Sequence, residues 1–160
     1  MVLYSRELVS GYGPADALMI ARDNAAEGNV AGQFFLGYFL MSGIGTDPDP
    51  GSAADWLTRA AGAGYLRAYP FLADLTELGQ VIAFSPERAA ALYWDALNGG
   101  DAIAVARLTD QLGQRNTEVV RIIQQNLRDI GAFNGRADGL PGPGTVNAIR
   151  AYADTVTQAG

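Results

Sequence analysis

Small and apolar residues recur along the first two-thirds of the chain at a constant interval of 36 residues. Three glycines, three leucines and three alanines share this interval: Gly28, Gly64, Gly100, Leu36, Leu72, Leu108, Ala17, Ala53 and Ala89. A repeat of this length is typical of a helix-turn-helix unit that buries its apolar face only by stacking on its neighbours. Because the interval ends at about residue 112, the pattern predicts stacked helical repeats followed by a segment of another kind.

Apolar residues at helical spacing predict six helices within the repeats. Their expected ranges are 14–27, 30–41, 50–63, 66–78, 86–98 and 101–112. Asp49 and Ser85 precede Pro50 and Pro86, which is the pattern of an N-cap residue followed by proline at the first helical position. The recurring alanines allow neighbouring helix axes to approach to about 8 Å, and the recurring leucines are expected to fill the space between the helices.

The segment that follows the repeats has a different pattern. Residues 118–130 carry their apolar side chains on one helical face, and Gly131 is expected to end that helix. A turn-rich loop, FNGRADGLPGPG, leads to a last helix from about Thr145. Together they predict a small two-helix hairpin. We therefore divide the chain into the helical repeats, residues 1–113, and the hairpin, residues 114–160.

Glycine and aspartate are expected to shape the loop of this hairpin. Gly135, Gly139 and Gly142 are expected to supply backbone conformations with positive φ. Asp138 is expected to accept hydrogen bonds from N–H groups of its own loop. With these roles the loop is a compact turn between two helices.

The composition excludes several kinds of chemistry. All 11 basic residues are arginine, there are 17 acidic residues, and the formal net charge is −6. Such a chain is poorly suited to neutralise the phosphates of nucleic acids or anionic membranes. It has no histidine, cysteine or lysine, which excludes Ser-His and Cys-His nucleophile pairs, Schiff-base lysines and zinc sites of the usual Cys/His type. We predict no metal, no cofactor and no nucleic-acid partner.

The sequence contains no apolar run of about 18 residues, so no membrane-spanning helix is predicted. The first residues, MVLYSRELVSG, lack the basic start and the apolar stretch of a signal peptide. If the protein is exported, its signal is absent from this sequence. The absence of cysteine leaves the redox compartment open.

The first repeat also matches a family motif. The motif begins with A-x-x-x-LG-x-x-Y-x-x-G-x-G, continues with an acidic residue, and ends with A-x-x-W followed by AA-x-x-G. The residues that fall on it are Gln33, Leu36, Gly37, Gly43, Gly45, Asp47, Ala53, Trp56, Ala60, Ala61 and Gly64. Residues 14–112 thus resemble the Sel-one-like (Sel1-like) repeats, relatives of the tetratricopeptide repeats. We expect an all-α fold, a right-handed stack of helical hairpins (an α-solenoid) with a concave surface for a protein or peptide partner, followed by the small hairpin.

A second motif covers much of the C-terminal segment. The matching residues are Val120, Ile123, Gln124, Leu127, Ile130, Gly131, Phe133, Gly135, Asp138, Gly139, Gly142, Thr145, Ala148, Ile149 and Tyr152. This segment resembles the peptidoglycan-binding-like domain of bacterial envelope proteins, although Pro141 and Ala153 replace an aromatic residue and a glutamine, and the third helix of the family domain is missing. The resemblance implies that the loop contacts peptidoglycan through Asn134, Gly135, Arg136, Asp138, Gly139 and Thr145.

These resemblances together imply a non-enzymatic interaction or scaffold module of the bacterial cell envelope. The repeats would bind a protein or peptide, and the hairpin would either contact peptidoglycan or only cap the repeat stack. A periplasmic or exported location is expected, and a cytoplasmic one stays open.

Two alternatives involve catalysis. The chain could be a regulatory or targeting tail of a larger enzyme. It could also be a carboxylate-based glycan hydrolase, which needs two facing carboxylates. The five glutamates, Glu7, Glu27, Glu77, Glu87 and Glu118, lie in helix ends and linkers without a motif. We interpret them as solvated surface residues and predict no enzyme activity.

Overall fold

The structure is a computed structural model that describes residues 13–159. Over this range it is all-helical, as predicted, and contains no strand. The helices are α1 Pro14–Ala26, α2 Val30–Ser42, α3 Pro50–Gly62, α4 Ala68–Leu78, α5 Pro86–Asn98, α6 Ala102–Thr109, α7 Thr117–Asp129 and α8 Pro143–Ala159, with a short 3-10 turn, Leu112–Gln114, between α6 and α7. The predictions made for the first eleven residues, including Glu7, lie outside the described residues.

The helix that differs most from its predicted range is α6. It ends at Thr109 instead of continuing to Leu112. The chain then forms the 3-10 turn, which brings the Leu112 side chain into the core at 2% exposure. The apolar spacing continues to Leu112, but its last part belongs to a turn and not to the helix.

Side-chain caps start the helices that follow the long loops. The Asp49 carboxylate accepts a hydrogen bond from the Ser52 N–H at 3.0 Å, and the Ser85 hydroxyl accepts one from the Arg88 N–H at 3.1 Å. Both helices have proline at their beginning. The predicted caps are confirmed.

Glycines with a left-handed backbone end four of the helices in the same way. These glycines, with φ between 72° and 82°, are Gly28, Gly64, Gly100 and Gly131. In each case the residue after the glycine donates a backbone hydrogen bond to a carbonyl in the last turn, as Asp101 does to Ala96 at 2.9 Å. Because other residues rarely adopt positive φ, the requirement explains why glycine recurs there. Helix α7 therefore ends like a repeat helix, 31 residues after α5 and not 36.

The chain forms two compact units that divide between Ala68 and Tyr69. In the first unit, α2 packs against both α1 and α3. Ala17, Leu36 and Ala53 are buried in its core. The approach of α2 to α3 is close, because a Cβ atom on Gly37 would lie 2.8 Å from Leu57 Cγ.

The second unit has one core to which α4, α5, α6, α7 and α8 all contribute. Its buried members are Ala73, Ala89, Ala90, Tyr93, Leu97, Leu108, Leu112, Val119, Val120, Ile123, Leu127, Ala148, Ile149 and Ala153. Helix α7 packs on α5, and α8 packs on α6. The predicted hairpin thus shares its core with the second repeat. The division at residues 113 and 114 separates two sequence patterns, whereas the cores divide between Ala68 and Tyr69.

The substitution Ala89→Leu tests the close packing at the recurring alanines. Ala89 is fully buried, so the larger side chain should overpack the core and lower the free energy of unfolding by about 1–3 kcal/mol. Ala91→Leu, on the exposed face of the same helix, should change it by less than about 0.5 kcal/mol. Urea unfolding measures both, and equal effects would contradict the packing role.

Candidate functional site

The loop between α7 and α8 is held in place by one buried amide. Gln124, at 1% exposure, donates through Nε2 to the Leu140 carbonyl and to Thr145 Oγ1, both at 3.0 Å. Its Oε1 accepts a hydrogen bond from the Gly139 N–H at 2.8 Å. A single side chain of α7 therefore connects the loop to the first turn of α8.

The structure divides the six predicted site residues into two groups. Asn134, Arg136 and Asp138 are exposed on the loop. Gly139 and Thr145 are buried, where they bond to Gln124, and Gly135 is half-buried. The exposed group offers side chains to a ligand, while the buried group fixes the backbone that carries them. A ligand-binding role for the six stays a prediction.

The expected turn geometry is partly wrong. Of the three loop glycines, only Gly139 has positive φ, at 78°. Gly135 is required for space instead, because a Cβ atom there would lie 2.3 Å from the ring of Phe133, and Gly142 has open space around it. The role of Asp138 is confirmed, since its Oδ1 accepts a hydrogen bond from the Leu140 N–H at 3.1 Å.

A network of charged and polar side chains lies within the second unit, and the sequence did not predict it. Asp74 accepts from Arg107 Nε at 2.9 Å, from Arg115 Nη1 at 2.6 Å and from the Tyr93 hydroxyl at 2.5 Å. Glu77 accepts from Arg115 Nη1 at 3.1 Å. The interpretation of Glu77 as solvated is wrong, because its side chain keeps 10% exposure.

Burial shapes the ionisation of this network. It raises the pKa of the Tyr93 phenol above its ordinary value, and the charge of Asp74 raises it further, so the phenol stays protonated and donates. Burial alone would lower the pKa of Arg115, but the neighbouring carboxylates of Glu77 and Asp74 raise it overall. The two carboxylates are thus held by permanently charged arginines, which is the arrangement of a structural ion-pair network.

The described residues contain no group of three or more acidic, histidine or cysteine side chains that could hold a metal ion. Each helix within residues 13–159 is too short or too polar to span a lipid bilayer.

Three large apolar side chains are exposed at the end of α4 and in the connection to α5. Leu78 is 64% exposed, Phe84 is 55% exposed, and Val81 between them is also exposed. Large apolar side chains clustered at the surface are typical of interaction sites. This apolar loop, residues 78–84, is the second candidate site.

The substitution Gln124→Leu tests the support of the loop. It leaves the Gly139 N–H and the Thr145 hydroxyl without their buried partner, so the free energy of unfolding should fall by about 1–3 kcal/mol. Gln125→Leu is the matched control, because Gln125 is exposed and its amide bonds to the exposed Asp129. Similar midpoints of urea unfolding for both variants would contradict the role of Gln124.

No family model matches the sequence, and no curated protein matches it. Two solved structures are similar to the chain. A Sel1 repeat protein from Oxalobacter formigenes matches with a TM-score of 0.53 and 20% identity, over 89% of this chain and 49% of that one. The protein c5321, a protective antigen of uropathogenic Escherichia coli strains that displays an SLR fold, matches with a TM-score of 0.52 and 24% identity, over 89% of this chain and 33% of that one. The chain thus spans about half or a third of these proteins, and its fold is an all-α helical-repeat solenoid of the same kind.

Proposed function

We propose that the chain is a non-enzymatic interaction module whose repeats bind a protein or peptide partner. The proposal rests on the exposed side chains of the apolar loop, residues 78–84, in a helical-repeat fold. Repeats of this kind expose long surfaces built from successive units, which suits the recognition of other chains.

The corresponding loop of the first repeat is built differently. There the Ile44 N–H donates to the Phe39 carbonyl at 3.0 Å and the Asp49 N–H donates to the Leu40 carbonyl at 2.8 Å. Ile44 packs against the core. In the apolar loop, no backbone–backbone hydrogen bond joins residues 80–84 to the other described residues. Free backbone groups beside exposed apolar side chains give a partner both polar and apolar contacts.

A photo-crosslinking phenylalanine analogue tests this surface. Placed at Phe84 in the full chain, in cells of the source organism, it should give one discrete crosslinked protein that is identified by mass spectrometry. The analogue at Asn147, an exposed position on α8, serves as the control and should not give this product.

The substitution Val81→Asp should remove the crosslink from Phe84, since a charge in the apolar loop opposes burial by a partner. Circular dichroism should remain that of the parent chain. The same products from positions 84 and 147, or a crosslink that survives Val81→Asp, would contradict a partner at this loop.

A second candidate function is contact with peptidoglycan in the bacterial cell envelope, in a periplasmic or exported protein. It is supported by the exposed side chains of Asn134, Arg136 and Asp138 on a loop that Gln124 fixes. Side-chain amides, guanidinium groups and carboxylates can bond to the hydroxyl, amide and carboxylate groups of glycan strands and stem peptides.

Sedimentation with purified sacculi tests this candidate. The full chain should co-sediment, and Asn134→Ala or Arg136→Ala should each weaken binding about two- to tenfold through loss of one exposed hydrogen bond. Arg128→Ala changes an exposed arginine of α7 outside the loop and should bind like the parent chain. If all four proteins stay in the supernatant, the hairpin has no glycan role and serves only to cap the repeats.

A further inference from the structure

We propose that the partly buried network of Asp74, Glu77, Tyr93, Arg107 and Arg115 is a docking lock that ends the repeat array. Its role is to make the second repeat accept the C-terminal segment of this chain in preference to a further repeat or a second copy.

The 36-residue register shows where the second repeat departs from the first. Asp74, Glu77 and Tyr93 occupy the positions that Tyr38, Met41 and Leu57 hold in the first repeat. Leu57 is fully buried, and Tyr38 and Met41 pack against an apolar core. Two carboxylates and a phenol therefore stand where the first repeat has one phenol and two apolar side chains.

The groups that satisfy these residues come from the chain that follows. Arg107 of α6 stands where α4 has Phe71, and it pairs with Asp74. Arg115, in the link before α7, pairs with both Asp74 and Glu77. The polar substitutions in the repeat and the arginines after it are therefore complementary.

The link to α7 is fixed at the same point. The Asn116 N–H donates to the Glu77 carboxylate. The Asn116 side chain caps α7 by accepting a hydrogen bond from the Glu118 N–H at 2.8 Å. The lock thus sets where α7 begins, and α7 then packs on α5.

The physical basis of the lock is the cost of burying an unpaired charge. Desolvation of buried ion pairs largely cancels their attraction, so such a network adds little net stability, but removing one side of it is costly. A further repeat with apolar residues in place of Arg107 and Arg115 would cover the half-buried carboxylates of Asp74 and Glu77 and leave them unpaired. The network therefore discriminates between docking segments.

The substitution Arg115→Met tests the lock in the full chain. Hydrogen exchange, followed by mass spectrometry, should accelerate at least tenfold across α7 and α8 and remain unchanged across α1 to α3. Arg150→Met is the matched control, because the Arg150–Asp110 pair is exposed, at 57% and 66%. If Arg115→Met protects α7 and α8 as well as Arg150→Met does, the lock proposal is rejected.

A variant in which all five network residues are apolar distinguishes a role in selecting the docking segment from a role in stability. It combines Asp74→Leu, Glu77→Met, Tyr93→Phe, Arg107→Met and Arg115→Met. We expect a melting temperature equal to or above that of the parent chain, together with multiple or broadened amide resonances in α7 and concentration-dependent self-association in sedimentation velocity. A monomer with one sharp set of α7 resonances would overturn the proposal, and so would a chain that no longer folds, since the network would then be required for folding itself.

Discussion

The fold depends on one constraint: each helix can bury its apolar stripe only against the helices beside it. Alanine and glycine keep the backbones close, as at Gly37, which lies against Leu57, and leucine fills the remaining space. A single hairpin of this composition has no core of its own. This explains why the C-terminal helices do not form a separate small body. Their apolar faces complete the core around Tyr93 and Leu108, so the segment is a structural part of the second unit whatever else it binds.

The repeats could be predicted because their signals are local and periodic. The glycine that ends a helix, the N-cap before proline and the buried leucine each follow from backbone geometry or from burial, and the structure has all of them at the expected positions. The network around Asp74 could not be found in this way. Each charged residue, taken alone, is normally solvated, and only comparison of Glu77 with its equivalent, Met41, marks it as unusual.

The sequence predicts the two helices of the hairpin and the loop between them, but not the contacts that fix the loop. The amide of Gln124 organises it by bonding to groups 15 to 21 residues away, and such pairings are invisible to spacing rules. Gly135 is expected from the sequence to have positive φ, but in the structure its role is to leave room for the ring of Phe133. The same structure serves both functional interpretations of the segment, because a loop that Gln124 holds on a shared core can cap the repeats and also display Asn134 and Arg136 to solvent.

The left-handed glycines that end four of the helices in the same way have a consequence for how repeats can be added to or removed from such a chain. The backbone turns in the same way after the helices that end at Gly28, Gly64 and Gly100. The positions after these glycines are therefore structurally equivalent sites for an insertion or a deletion. A 36-residue cassette duplicated or deleted between two of them preserves every helix exit. The region after Gly100 is different, because its arginines are matched to Asp74 and Glu77. The array can therefore be extended by recombination on its N-terminal side, while its C-terminal side must be inherited together with the repeat that it recognises.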